Sequence, residues 1–337
     1  MANKTDNRFS ARWNKRNARE LYLEGEHVSI QNLKMRDDIR QEQEVQKYLS
    51  KNIPDYPTPV EFYITELTHV TNKNSLQKIW DSEGFKGFEQ DSLSWWSLKI
   101  NEADISAAEE RFLETRFPDR SKEEIAAQQP FLSKFTTSPP FINDSSRYGN
   151  FRFTFPLTEL MEAYKKQMCE DEEPVLRVYG TKLFKQEIEY VVLVHSPQFN
   201  ETFSKYPLLT SNPLFSYEGN QIIWRAQAIC ETHNYQLAIH GKTVVTQTMY
   251  SHQFYVWDQL CLVFHINEGE VLTFPQRKLK ASLSCCEADR KVKLWRNGEN
   301  CSSIKEAEQF IESFQDDDEK EDEKEEDAFG EVKMEAE

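Results

Sequence analysis

The chain has 337 residues, 38% of them hydrophobic and 12% aromatic, with a formal charge of −16. That length and apolar content suit a folded body of one to three domains. No run of about eighteen apolar residues occurs, which argues against a membrane span, and the polar start Met1–Arg8 lacks the apolar core of a secretory signal. The charge is concentrated at one end. Residues 316–337 carry thirteen acids and three lysines, leaving only −6 for residues 1–315. The body is nearly balanced, so broad sequence-blind nucleic-acid binding is disfavoured.

In chain order, residues 1–20 hold six Lys or Arg against Asp6 and Glu20 and read as a basic arm able to contact phosphate or an acidic partner. A highly charged stretch, Arg36–Leu49, is expected as an exposed helix and is broken by Pro54, Pro57 and Pro59. Together, residues 1–58 make a basic arm and polar helical lead-in. Glu61–Val70 has strand composition. Asn74–Trp80 is helical, with Leu76, Ile79 and Trp80 on one face and Gly84 placed to end it. Leu93–Ile100 is rich in strand formers. Two polar helices are expected next, one opened by Ser106 with Glu109 and one by Ser121 with Glu124, each pair in the capping-box relation.

From Phe131 the texture turns to β-structure. Phe151, Phe153 and Phe155 alternate with polar residues. A helix over Leu157–Cys169 leads to the strands Val175–Tyr179 and Tyr190–Val194, the second a continuous apolar run of the kind covered on both faces. Residues 198–220, rich in Pro, Asn and Ser, form a boundary or a long loop. Strands at Ile222–Ile229, Gln236–Ile239, Thr243–Thr248, Phe254–Trp257 and Leu260–Ile266 follow, then a helix over Ile304–Phe314. The expected class is α+β: mixed, largely antiparallel sheets with flanking helices, a β-rich C-terminal half and a disordered acidic tail over 316–337. The expected domains are 59–200, an α+β domain, and 201–315, a β-rich region packed on it or a second domain.

Six sparse cysteines without CxxC pairing point to reduced thiols in a cytoplasmic, or also nuclear, protein. No zinc spacing is present, so no metal is expected. His195, His233, His240, His252 and His265 lie among apolar residues and read as core or edge histidines. Ten glycines and no Gly-x-Gly-x-x-Gly or Gly-x-Ser-x-Gly leave no phosphate loop or hydrolase elbow.

Three segments within residues 60–200 carry a resemblance. Thr68-His69-Val70-Thr71, then Leu76–Ile79 and Glu83-Gly84-Phe85, resembles the opening of ADP-ribosyltransferase domains, a strand bearing His-x-Thr followed by a helix that ends at Gly-Phe. Gln186-Glu187-Ile188-Glu189-Tyr190, leading into Val191–Pro197, is similar to the Glu-x-Glu strand of the mono-ADP-ribosyltransferases. The resemblance implies NAD as co-substrate, held by His69 and Thr71. It implies Glu189 as the catalytic acid, stabilising oxocarbenium character at the ribose, and Glu187 orienting the acceptor. An alternative alignment makes Glu187 the catalytic residue. The middle segment has two exclusive readings: Phe135–Ser138 as a Ser-Thr-Ser-like strand, or Ser146–Gly149 with Tyr148 stacking nicotinamide. The acceptor, protein or nucleic acid, stays open, with the basic arm and acidic tail as contact segments. The rival expectation is an inactive intracellular protein-interaction module on an aromatic-rich body. Binding of unpaired nucleic acid is a third, weaker reading.

Overall fold

The apolar run 190–194 is the natural starting point, because a strand with no polar alternation must be covered on both sides. In the computed structural model it lies within the strand Glu187–His195. The model describes residues 8–14, 18–40, 42, 57, 60–210, 212–218, 220–254, 256–288 and 299–314. The acidic tail and most of the charged stretch 36–49 lie outside the described residues. The fold is α+β, with mixed and antiparallel sheets.

The chain divides into two compact units that interleave along the sequence. The first comprises residues 1–67, 95–143 and 156–265, and the second residues 68–94, 144–155 and 266–337. This division does not follow the boundary that the Pro- and Asn-rich stretch after residue 200 suggests.

In the first unit the sheet order is Ser10–Trp13, Arg19–Glu24, Val175–Phe184, Glu187–His195, Trp257–His265 and then Leu93–Leu98, whose last four residues belong here. Glu187–His195 runs parallel to Trp257–His265 and antiparallel to Val175–Phe184. Val191 to Val194 and Leu260 to Phe264 are all essentially inaccessible. The helix Leu157–Met168 buries Leu157, Leu160, Met161 and Tyr164, the spacing of one helical face. The Tyr164 hydroxyl donates to the His265 carbonyl at 2.6 Å. A smaller sheet of Phe215–Tyr217, Ile222–Ala226 and Val60–Ile64 packs against helix Glu102–Arg116. There Phe62 stacks on Trp224 with ring centroids 5.4 Å apart.

The N-terminal segment departs from the expected arm. Ser10–Trp13 and Arg19–Glu24 pair antiparallel, and the second joins Val175–Phe184. Arg12 bonds Glu20 at 2.7 Å and lies 3.9 Å over the Tyr22 ring, so its charge is spent within the fold. Apolar Leu21, Tyr22 and Leu23 bury against the sheet and outweigh the basic composition.

Capping also differs in detail. Helix Glu102–Arg116 is opened by an Asn101–Asp104 capping box rather than by Ser106 and Glu109. Glu109 instead accepts the Phe131 and Leu132 amides at 2.8 and 2.6 Å. The Ser121–Glu124 box forms as expected. The strand expected at 254–257 is divided: Phe254 ends the strand Thr243–Phe254, and Trp257 begins Trp257–His265, which covers most of the strand expected at 260–266.

In the second unit residues 68–71 of the strand Glu66–Thr71, residues 151–155 of Phe151–Pro156, and Leu283–Cys285 are sheet neighbours. Helix Lys73–Asp81 is capped by Asn72, whose side chain accepts the Ser75 amide at 2.9 Å. Gly84 does not end this helix. Glu83 takes the left-handed conformation there, and Gly84 opens a short strand against Leu272. A Cβ on Gly84 would stand 2.2 Å from the Leu272 carbonyl oxygen, so close approach of two backbones demands glycine.

Leu193 is fully buried in the strand shared by two neighbours. Leu193→Ala is expected to lower unfolding free energy by about 2–5 kcal/mol in chemical denaturation. The amides of 190–194 are expected to exchange only through global opening.

Candidate functional site

The His-x-Thr residues lie on the strand Glu66–Thr71, whose residues alternate between faces, so His69 and Thr71 share one face. Thr71 is buried and His69 half-buried. The His69 ring meets the buried Phe85 edge-on, with centroids 5.2 Å apart. Phe85 in turn packs edge-on against Phe153 and Phe274. The Gly-Phe pair after the helix thus forms the apolar floor beside His69. At the end of this strand Asn72 turns the chain into the helix, and its Nδ2 donates to Glu299 at 3.1 Å.

Gly149 fixes the next part. A Cβ there would lie 2.1 Å from the Thr71 carbonyl oxygen and 2.7 Å from the Asn72 nitrogen. The 147–150 segment is therefore seated directly on the end of the His-x-Thr strand. Tyr148, one residue away, is 43% exposed, and its amide donates to Ser146 Oγ at 3.0 Å. Of the two readings of the middle segment, 135–138 forms no strand. It lies between the short 3₁₀ turns Leu132–Lys134 and Pro139–Phe141, where Thr137 Oγ1 donates to the Thr232 carbonyl and accepts the Glu231 amide.

The acids belong to the first unit. Glu187 and Glu189 occupy one face at the start of their strand, and both are half-buried. Glu189 stands directly across from Lys182 on the antiparallel neighbour, and the two side chains form an ion pair. The Lys182 ammonium also lies 4.4 Å from the centre of the Trp95 ring. Burial pushes the neighbouring Cys261 thiol well up, and the Glu189 charge adds to it. His69, Thr71 and Tyr148 thus fall together in one unit, and Glu187 and Glu189 in the other.

Two buried polar clusters of the first unit were not legible as sites. Asp258 is fully buried and accepts the Ala228 amide at 2.7 Å and the Gln227 amide at 3.1 Å. Burial pushes its carboxyl up to about 7 despite those bonds. The only sequence signal is an acid in the gap between the strands expected at Phe254–Trp257 and Leu260–Ile266. In the second cluster Arg177 Nε donates to His195 Nε2 at 2.8 Å, and its other nitrogens bond the Tyr206 carbonyl and Asn200 Oδ1. His195 Nδ1 must then carry its proton, donated to the Ser196 carbonyl at 2.7 Å. Burial lowers the His195 pKa, with Arg177 adding to the effect, and burial holds His265 near 4. Both are neutral core histidines.

Among the described residues no group of three or more His, Cys, Asp or Glu is arranged for a metal, and no helix is long and apolar enough to cross a membrane. All six cysteines are free. No protein-family model, curated protein or solved structure matches this chain.

Two outcomes follow from this geometry. Gly149→Ala has backbone, not a movable side chain, in its way and is expected to cost about 1–3 kcal/mol while displacing Tyr148. Its stability and the Tyr148 ring resonances report this. Asp258 keeps in the folded state a proton that the unfolded chain releases near 3.8. Its contribution therefore falls as pH rises from about 4 to about 7. Asp258→Asn, which can still accept the two amides, is expected to flatten stability across that window in pH-dependent denaturation.

Proposed function

We propose that this chain binds NAD through the second unit, as a divergent ADP-ribosyltransferase-like protein. The observation that carries the reading is the seating of Gly149 on the Thr71 carbonyl. It holds the exposed Tyr148 ring at the end of the strand that bears His69 and Thr71. Those are the three residues that the resemblance assigns to the dinucleotide. The donor set fits such a ligand: an imidazole can hydrogen-bond a ribose hydroxyl, and an exposed phenol ring offers a stacking face for a flat heterocycle.

In transfer, the bond between ribose C1′ and the nicotinamide nitrogen breaks. The electron pair leaves with nicotinamide, and an acceptor nucleophile bonds C1′ and gives up its proton. The resemblance assigns to Glu189 the carboxylate that stabilises the positive charge developing at the ribose. The ion pair with Lys182 bears on this role, because an ammonium already neutralises that carboxylate. It favours a second reading, in which the protein recognises NAD without transferring ADP-ribose.

Calorimetry and incubation with labelled NAD separate the cases. NAD binding is expected, weakened about tenfold by His69→Ala through loss of one ground-state hydrogen bond. If transfer occurs, Glu189→Gln lowers it by about two orders of magnitude and leaves affinity nearly unchanged. Binding with no labelled product selects the recognition reading. Absence of binding at millimolar NAD removes both.

A further inference from the structure

The first unit contains a hairpin, Thr232–His240 and Thr243–Phe254, that forms a two-stranded sheet of its own. Its two-residue turn has Gly241 at φ +63°, the residue that such a turn requires at its first central position. The pairing His240↔Thr243 closes the ladder. From it, alternate residues of the second strand, Val244, Thr246 and Thr248, direct their backbone N–H and C=O away from the first strand.

Val244 shows what this outer edge accepts. The Gln128 side-chain amide donates to its carbonyl at 2.8 Å and accepts its N–H at 2.9 Å, the two bonds that a neighbouring strand would make. No residue of the described structure continues that pairing at Thr246 and Thr248. Exposed edges of this length are ordinarily blunted by charge or proline. Here the whole strand 243–254 contains neither, and the hairpin's single charged residue is Lys242. Tyr250, on the same face as Thr246 and Thr248, is fully exposed.

We propose that this edge pairs with the same edge of a second copy of the chain, antiparallel across a two-fold axis at Gln247. In that register Thr246 of each copy faces Thr248 of the other, and the four outward backbone groups on each side are satisfied. Gln128 sets the limit by occupying Val244, so the pairing cannot slide toward the turn. A second copy fits better than an unrelated extended segment for two reasons. A two-fold axis supplies a complementary neutral edge automatically. In a chain of charge −16 this is also a stretch where two copies meet without like charges opposed. The inference is independent of NAD binding.

The test is sedimentation equilibrium of the full chain over a range of concentrations, with hydrogen exchange read at the same concentrations. The expected mass rises toward twice that of one chain, and the Thr246 and Thr248 amides slow severalfold as it does. Thr246→Pro removes an outward N–H without touching the hairpin's own ladder. Thr248→Lys places two ammonium groups near the axis and keeps the backbone intact. Both are expected to stay at the mass of one chain with an unchanged circular dichroism spectrum, and Thr248→Lys decides if the proline variant misfolds. A wild-type protein that remains at one-chain mass overturns the proposal, even if an added extended peptide protects the edge. So does a dimer that survives Thr248→Lys.

Discussion

Parallel pairing of Glu187–His195 with Trp257–His265 is the constraint on which the first unit depends. Eight consecutive residue pairs are matched, from Glu187↔Trp257 to Val194↔Phe264, and both strands are buried along most of their length. Parallel strands cannot be joined by a tight turn, so the chain must leave and return through a long excursion. Two strands of the small sheet, Phe215–Tyr217 and Ile222–Ala226, and the hairpin 232–254 lie in that excursion. Burial on both faces also sets the terms for every polar group inside. Asp258 is tolerated because backbone amides replace its water, and Arg177 because His195, Asn200 and a carbonyl absorb its donors. The cost appears as a raised pKa for the carboxyl and lowered pKa values for the imidazoles.

Much of this was legible where local chemistry and tertiary context agree. The run 190–194 announced a strand covered on both faces. Leu76, Ile79 and Trp80 announced one face of a helix, and the Ser121–Glu124 box forms as written. Sequence reading failed where a long-range partner outbid a local signal. Glu109 sits at capping distance from Ser106 but spends its carboxylate on amides twenty-two and twenty-three residues away. Gly84 has the look of a helix stop, yet the reason for glycine is the backbone of Leu272, distant in sequence. The basic composition of residues 1–20 concealed the apolar triplet 21–23 that draws the segment into the sheet. Nothing singled out Asp258, because its amide partners at 227 and 228 cannot be inferred from its neighbours.

The candidate site shows the same division. His69, Thr71 and the Gly-Phe pair are local features, and their clustering with Phe85 follows from one strand, one turn and one helix. The contact of Gly149 with Thr71 joins segments nearly eighty residues apart, and no pattern in the sequence announced it. Lys182 opposite Glu189 was likewise missed, because the expected strand stops at Tyr179 whereas the observed one continues to Phe184 and carries Lys182 across from Glu189. That ion pair bears on the proposed transfer, because it neutralises the carboxylate that the resemblance assigns to it. The hairpin edge is a separate property, set by the absence of charge over a dozen residues rather than by any motif.

The central claim is that NAD is recognised by the second unit. Its most direct measurement is a nuclear magnetic resonance titration with NAD, following the side-chain resonances of His69 and Tyr148 in selectively labelled protein. The account predicts that both shift, saturate together with one dissociation constant, and lose the response in Gly149→Ala while the remaining spectrum stays folded. Shifts confined to other residues, or none at millimolar NAD, would contradict it.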